Sequence, residues 1–422
     1  MMLHTLRLLL LFTLISHQVV SQTEVDKVDR AYLDKKNIYQ GRSEDFRSII
    51  GVSGSYEINS NAITNSFVKG ILFKGNITED LKNDVSAKIK RQNNRLGFDI
   101  DLGITGTHHL GALTLIGRLG FREHGDLRFS KDLFEVLLRG NKKYAGLTAD
   151  LSPSKLNYFN YQNIYIGFAK ELSAKPYIIG AGISLIKGGQ VQRFQVDRAS
   201  LFTEETGEYI ELNTAFKADF NRQVDSYFSA SGFGSALNLT LSRKFEKGIL
   251  NTELRDIGFI YWSNTTSVEA DTNIRYEGEE IENILDYKDY SYGSIDPDTL
   301  RQKFGIGKKT RSFASMLPLV VNINYTHYFS DKFNLSGGVK YIAFANYVPR
   351  AYVRGIFYVT PEFFVAPGIV AGGYGTVNSE VSLFKSFKDR FTVSATAIFL
   401  EYLIAPAKTQ GFGGNISLIK IF

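Results

Sequence analysis

The chain has 422 residues, 44% of them hydrophobic and 22% charged, with a formal net charge of +6. That composition excludes a disordered chain, and the scattered basic residues leave no nucleic-acid footprint. The absence of cysteine excludes disulfides, thiol nucleophiles, cysteine-based metal sites and a lipid anchor on an N-terminal cysteine.

In chain order, "MMLHTLRLLLLFTLISHQVVSQ" has Arg7, an apolar run from Leu8 to Ile15 and small residues near Ser21. This pattern predicts a secretory signal peptide over 1–22, too short in its apolar part to span a bilayer as a helix. Residues 23–45 are polar and read as a periplasmic lead-in, and 46–422 as one unit. No later stretch offers the roughly 18 continuous apolar residues of a membrane helix. An exported chain without a helical span is either a soluble secreted protein or an outer-membrane barrel.

After residue 45 the sequence alternates with period two. In "RLGFDIDLGI", Leu96, Phe98, Ile100, Leu102 and Ile104 share one face, with Arg95, Asp99 and Asp101 on the other. In "LTLIGRLGFR", Leu113, Leu115, Leu119 and Phe121 oppose Thr114, Arg118 and Arg122. A soluble sandwich alternates in the same way, so the number and spacing of hairpins carry the argument. Five further hairpins have short connections at Ser173–Lys175, Glu246–Lys247, Ser330–Lys332, Pro361–Glu362 and Lys388–Arg390, and several of the intervening connections are long. Short turns alternating with long loops mark a transmembrane antiparallel up-and-down β-barrel.

Six hairpins, a strand near Ser48–Ile58 and a last strand over Gly411–Phe422 predict 14 strands, an even number that puts both termini in the periplasm. Sixteen stays open if "FVKGILFKG" and "LFTEETGEYIEL" are strand pairs rather than extensions of outer loops. Glycine outnumbers proline 38 to 8, as strands paired on both sides require. Aromatics beside the last short turns, among them Phe329, Phe333, Phe357, Tyr358, Phe364, Phe384, Phe387 and Phe391, fit a girdle at the membrane–water boundary.

Two short helices are expected in long loops. "SKDLFEVLLRG" has Ser130 as cap, Gly140 as stop and an apolar stripe of Leu133, Phe134, Leu137 and Leu138. "DPDTLRQKFG" has Asp296 as cap and Gly305 as stop. The first either packs on neighbouring loops or inserts into the lumen as a gate.

With the first hairpin centred on His108 and His109, Asp99 falls opposite Arg118, Arg95 opposite Arg122, and Asp101 diagonal to Arg118. Arg95, Asp99, Asp101, Arg118 and Arg122 then form a charge ladder on the lumen wall, whether it stiffens the wall, binds a permeant or does chemistry. His108 and His109 point to different sides of a strand and make poor joint metal ligands. No nucleophile-elbow, phosphate-loop or dinucleotide pattern appears, so the expectation is a non-enzyme without cofactor or metal.

The runs "FSKDLFEVLLRGN", "GEYIEL", "RDIGFIYWS", "MLPLVVNINY" and "GGYG", in this order, resemble a Bacteroidota family of outer-membrane barrels of unknown function, related to FadL-type transporters and to PorV of the type IX secretion pathway. The resemblance implies a fourteen-stranded barrel and a place in the outer membrane. It implies passage of small hydrophobic molecules or, alternatively, a structural or secretion-accessory role with a protein partner on the long loops. The charged segment before the first strand departs from the apolar hatch of FadL-type members. In the last strand Ile416, Leu418 and Phe422 lie on one face, interrupted by Lys420, and resemble the C-terminal signal read by the barrel-assembly machinery. Expected partners are outer-membrane lipid, that machinery during insertion, and a hydrophobic ligand or protein; nucleic acid is not among them.

Overall fold

The computed structural model describes residues 48–70, 77–172, 176–221, 230–277, 307–387 and 390–422. The expected signal peptide, the lead-in and the helix expected at Asp296 lie outside the described residues. The strands are β1 (Ser48–Ser60), β2 (Asn94–Leu110), β3 (Leu113–Phe129), β4 (Thr148–Asp150), β5 (Ser154–Glu171) and β6 (Tyr177–Thr203). They continue with β7 (Tyr209–Phe220), β8 (Gly232–Phe245), β9 (Gly248–Glu277), β10 (Gly307–Met316), β11 (Val320–Tyr328) and β12 (Phe333–Ile342). The last five are β13 (Val348–Thr360), β14 (Phe363–Gly373), β15 (Val377–Phe387), β16 (Phe391–Ile398) and β17 (Gly411–Ile421). Four helices are described: α1 (Asn65–Lys69), α2 (Glu79–Lys88), α3 (Lys131–Arg139) and α4 (Glu401–Ile404).

Antiparallel pairing runs β1-β2-β3-β5-β6-β8-β9 and onward β11-β12-β13-β14-β15-β16-β17, and β17 pairs back with β1. This is a closed barrel of 14 strands. Closure leaves no strand edge unpaired, the condition for a sheet to exist in lipid. At the seam Ile49 faces Ile421 and Val52 faces Leu418, and the Phe422 amide donates to the Ser48 carbonyl at 2.9 Å.

Sixteen ring strands do not form. The "LFTEETGEYIEL" pair is the top of β6 with β7, which rises between β6 and β9 above the ring, and β4 and β10 flank the same extension. "FVKGILFKG" begins inside α1 rather than in a strand. The strand ends joined by the short connections lie together with the start of β1 and the end of β17 at one end of the barrel, and the strand ends that lead into the long connections lie at the other.

The outer face is apolar around the whole ring, with Ile50, Ile104, Leu119, Ile166, Leu239, Phe259, Ile323, Val353, Ile369 and Leu418 all exposed. A belt this large is stable only against lipid. Ile416, Leu418, Lys420 and Phe422 share this outer face. The Lys420 ammonium lies 5.8 Å from the centre of the Phe422 ring, so the cation sits on the terminal aromatic at the short-turn end.

The aromatic girdle is only partly real. Phe329, Phe357, Phe387 and Phe391 are exposed, but Tyr358, Phe364 and Phe384 are buried and point inward. Alternation decides this: Tyr358 sits one position from the exposed Phe357 and Phe384 three from the exposed Phe387, so each takes the opposite face, and Phe364 takes the inward face of β14 opposite the exposed Ile369. With Ile49, Ile356, Ile419 and Ile421 the inward rings form an apolar layer inside the short-turn end.

Of the two placements left open for the first loop helix, packing and not lumen insertion is the one observed. Ser130 does cap α3, accepting from the Leu133 amide at 3.1 Å, and Gly140 ends it at φ +73°. The stripe does not enter the lumen, however. Leu133, Phe134 and Leu138 pack with Phe67, Val85 and Ile89 onto Ile58, Phe98, Phe129 and Tyr158. Those strand residues have the outward parity of Ile50, Ile104, Leu119 and Ile164. The helices therefore form a crown on the outside of the rim, where outward apolar residues rise past the lipid and need cover. Leu137 is only partly buried, and Val136 instead joins Tyr144, Ala149 and Leu201. Within the crown, burial pushes the Glu135 carboxyl up, but Lys143 and Arg139, each at 3.2 Å, outweigh this and hold it below its ordinary value.

The barrel is expected to run faster on a detergent gel unheated than boiled, because closure makes unfolding all-or-none. Identical mobility of folded-state samples before and after boiling would contradict closure. Glu135 has a lowered folded-state pKa, so its contribution to the crown is present above pH 4.5 and fades as pH falls below that value. Hydrogen-exchange protection factors at α3, corrected for the intrinsic pH dependence of amide exchange, should therefore fall on acidification, and Glu135→Gln should remove that fall.

Candidate functional site

The hairpin that was read as centred on His108 and His109 turns three residues later. Gly111, at φ +63°, takes the first place of a two-residue turn with Ala112, the position where a left-handed residue matches hairpin twist. Asp99 therefore faces His124, Asp101 faces Arg122, Arg118 faces Thr105 and Arg95 faces Arg128. The slip is an even number in the pairing, so every side chain keeps its expected face while its partner changes. His108 points outward to the Ser48 hydroxyl at 2.9 Å, and His109 inward to that of Thr114 at 2.8 Å.

Four of the five ladder residues meet in one buried chain of charges. Arg118 reaches Asp101 at 2.5 Å, and the other Asp101 oxygen takes Arg255 at 2.7 Å. Arg255 lies 3.7 Å from Asp256, which takes Arg122 at 2.6 Å and a Tyr161 hydroxyl at 3.1 Å. Arg122 completes a two-pronged contact to Asp99 at 3.0 and 3.1 Å. Asp99 lies 3.8 Å from the His124 ring, whose Nε2 meets Asp126 at 3.2 Å and the Tyr374 hydroxyl at 3.1 Å. Arg122 is 2% exposed, Asp256 3% and His124 0%, so water does not screen the pairs. Three guanidiniums alternate with three carboxylates, which leaves no net buried charge in that stretch. Arg95 is not part of it.

The chain spans the lumen. Between β3 and β9 lie β5, β6 and β8, about four interstrand spacings of roughly 4.8 Å, yet Arg122 and Asp256 touch. The wall must bow inward there. Inward-facing glycines make room: a Cβ on Gly103 or Gly120 would fall within 2.6 Å of the Arg118 guanidinium lying across them. Further bridges cross the bore. Arg350 on β13 meets Glu57 on β1 at 2.7 Å, and Arg354 is paired with Glu380. The loop after β12 brings the Asn346 amide to Asp126 at 3.2 Å. Tyr374, from the loop after β14, lies over Gly97, where any Cβ would strike its ring.

Arg255 and Asp256 were not foreseen, although "RDIGFIYWS" contains them. Neighbours on a strand point to opposite faces, but a bulge against β8 between Leu237 and Leu239 and the left-handed backbone of Asp256, φ +64°, turn both inward. Two adjacent opposite charges within an alternating strand were the available signal. Glu57, His124, Asp126, Arg350 and Tyr374 had no local signal, because they meet partners more than two hundred residues away or on distant strands.

A closed antiparallel barrel with an apolar outer belt and an ion-paired interior is a transmembrane β-barrel. The chain belongs to a family of unknown function, DUF5723, whose model matches residues 41–359. No curated protein matches it. Among solved structures it is similar to a deletion mutant of the TodX monoaromatic hydrocarbon channel, with 8% identity, TM-score 0.49 and coverage of 91% of this chain and 92% of that one. It is also similar to a Pseudomonas aeruginosa FadL homologue, with 10% identity, TM-score 0.40 and coverage of 89% and 90%. A third is the COG4313 outer membrane channel from Pseudomonas putida F1, with 12% identity, TM-score 0.31 and coverage of 89% and 96%.

Removing Arg122 would take the guanidinium from both Asp99 and Asp256, leaving them only the longer contacts to His124 and Arg255 and the Tyr161 hydroxyl. Arg122→Ala should cost about 3–5 kcal/mol, the usual result of breaking a buried pair. Arg118→Ala should cost less, because Asp101 keeps Arg255. Denaturant unfolding of the refolded barrel in micelles reads both, and equal losses would refute the ranking.

Proposed function

We propose that this protein is an outer-membrane channel for small hydrophobic molecules whose resting state is sealed by the Arg122–Asp256 chain. The supporting observation is the arrangement of the inner wall. Barrel interiors are ordinarily polar, yet this one carries an apolar layer at the short-turn end, around Ile356, Phe364 and Phe384. A second lies toward the long-connection end, around Ile260, Trp262 and Ile186. The ionic chain separates them. A hydrophobic molecule would find apolar wall on either side of a polar seal, and parting the seal would join the two. Among the described residues the seal consists of side chains, and a rotamer change at Arg122 and Arg255 would part its central link. The residues that would act are Arg122, Arg255 and Asp256 as the latch, with Tyr161 shared between the latch and the upper apolar layer. The outer-membrane location rests on the barrel closure and on the apolar belt.

Wild-type protein in planar bilayers should conduct rarely. Arg122→Gln and Asp256→Asn should raise conductance and speed entry of a small aromatic dye into proteoliposomes. If both variants fold, as read by heat-dependent mobility, and remain as impermeant as wild type, the channel reading falls and the structural or accessory role takes its place.

A further inference from the structure

The inward bow of the wall has an outer side. On the lipid-facing surface of β1, β2, β3, β5, β6 and β8 there is a groove of about 900 Å³. It lies at the height of the ionic chain: Phe121 and Gln162, in its lining, are the sequence neighbours of Arg122 and Tyr161. Its floor is apolar, with Ile104, Leu119, Ile164 and Leu185 exposed. A convex barrel wall offers lipid no such hollow, and the volume falls within the roughly 300–1,000 Å³ of small-ligand clefts.

One end of the groove is polar. Lys187 points outward there, with its ammonium 3.5 Å from the Gln162 side-chain oxygen. Below Lys187 the outward residues of β6 are Leu185, Ile183 and Ala181; above it the strand turns polar with Gln190 and Gln192. Lys187 thus marks the boundary between hydrocarbon and headgroups, where a lysine stem can lie along apolar surface and hold its charge at the polar edge.

We propose that this groove is a binding site for one phosphate-bearing membrane lipid, with an acyl chain along Ile104, Leu119, Ile164 and Leu185 and the phosphate at Lys187. The occupant follows from the surroundings. The groove opens into the bilayer, so what fills it must be lipid, and the single cation at its polar end selects an anionic headgroup. The proposal does not depend on the channel reading.

The test uses the folded full-length protein in non-ionic detergent, with bound lipid counted by native mass spectrometry. Phosphatidylglycerol is compared with diacylglycerol of the same chains. Wild type should retain one phosphatidylglycerol in preference to diacylglycerol. Lys187→Gln should weaken phosphatidylglycerol about tenfold, the loss of one hydrogen bond to a charged group, and leave diacylglycerol unchanged. Leu185→Trp, which fills the floor, should weaken both lipids, whereas Ile369→Trp, on the outer face across the ring, should weaken neither. Heat-dependent mobility confirms that each variant is folded. Equal retention of the two lipids by wild type, or phosphatidylglycerol binding unaltered by Lys187→Gln and Leu185→Trp, would overturn the proposal.

Discussion

Lipid offers a backbone no hydrogen-bond partner, so every amide and carbonyl crossing it must find one in the protein. A sheet meets that demand only by closing, and the closure here falls on the pairing of β1 with β17, from Ile49–Ile421 to Asn59–Gly411. Everything else is arranged on that ring. The period of two, forced by the extended backbone, sends one residue to lipid and the next to the lumen. The same alternation that makes Leu119 lipid-facing makes Arg118 and Gly120 lumen-facing.

A ring of 14 strands is wide enough to leave a bore, and side chains alone do not fill a round one of that size. This protein reduces the bore by electrostatics. Arg122 serves two carboxylates on opposite walls, and Asp101 serves two guanidiniums. Each ion has an opposite neighbour on both sides, which offsets the desolvation that would make an isolated buried pair unfavourable. The geometry follows from the attraction: side chains from strands that are not neighbours touch, and glycines at Gly103 and Gly120 let a guanidinium lie flat.

What could be read from the sequence is what depends on alternation and turn length. The fourteen strands and the facing of Asp99, Asp101, Arg118 and Arg122 were legible because both are local. Partners were not. The register depended on which residue of "THHLGA" could adopt a left-handed backbone, and Gly111 rather than the histidines does so. The lumen position of Asp256 depended on a bulge that breaks the period at Arg255. The inward turn of Tyr358, Phe364 and Phe384 was implicit in their spacing from Phe357, Phe387 and Phe391, but clustering in sequence masked it.

The placement of α3 stayed open in the sequence for the same reason. Its stripe of Leu133, Phe134 and Leu138 correctly announced a buried face, and periodicity cannot say which surface buries it. The deciding fact lies in the strands. β1, β2 and β3 keep outward apolar residues, Ile58, Phe98 and Phe129, up to their long-connection ends, beyond a span that lipid covers. Those residues require cover of their own, and α1, α2 and α3 supply it. The bore is already crossed by the ion pairs of Arg122, Arg255 and Arg350 and by Tyr374. Where both a bare outer rim and a bridged lumen are present, an amphipathic loop helix belongs on the rim.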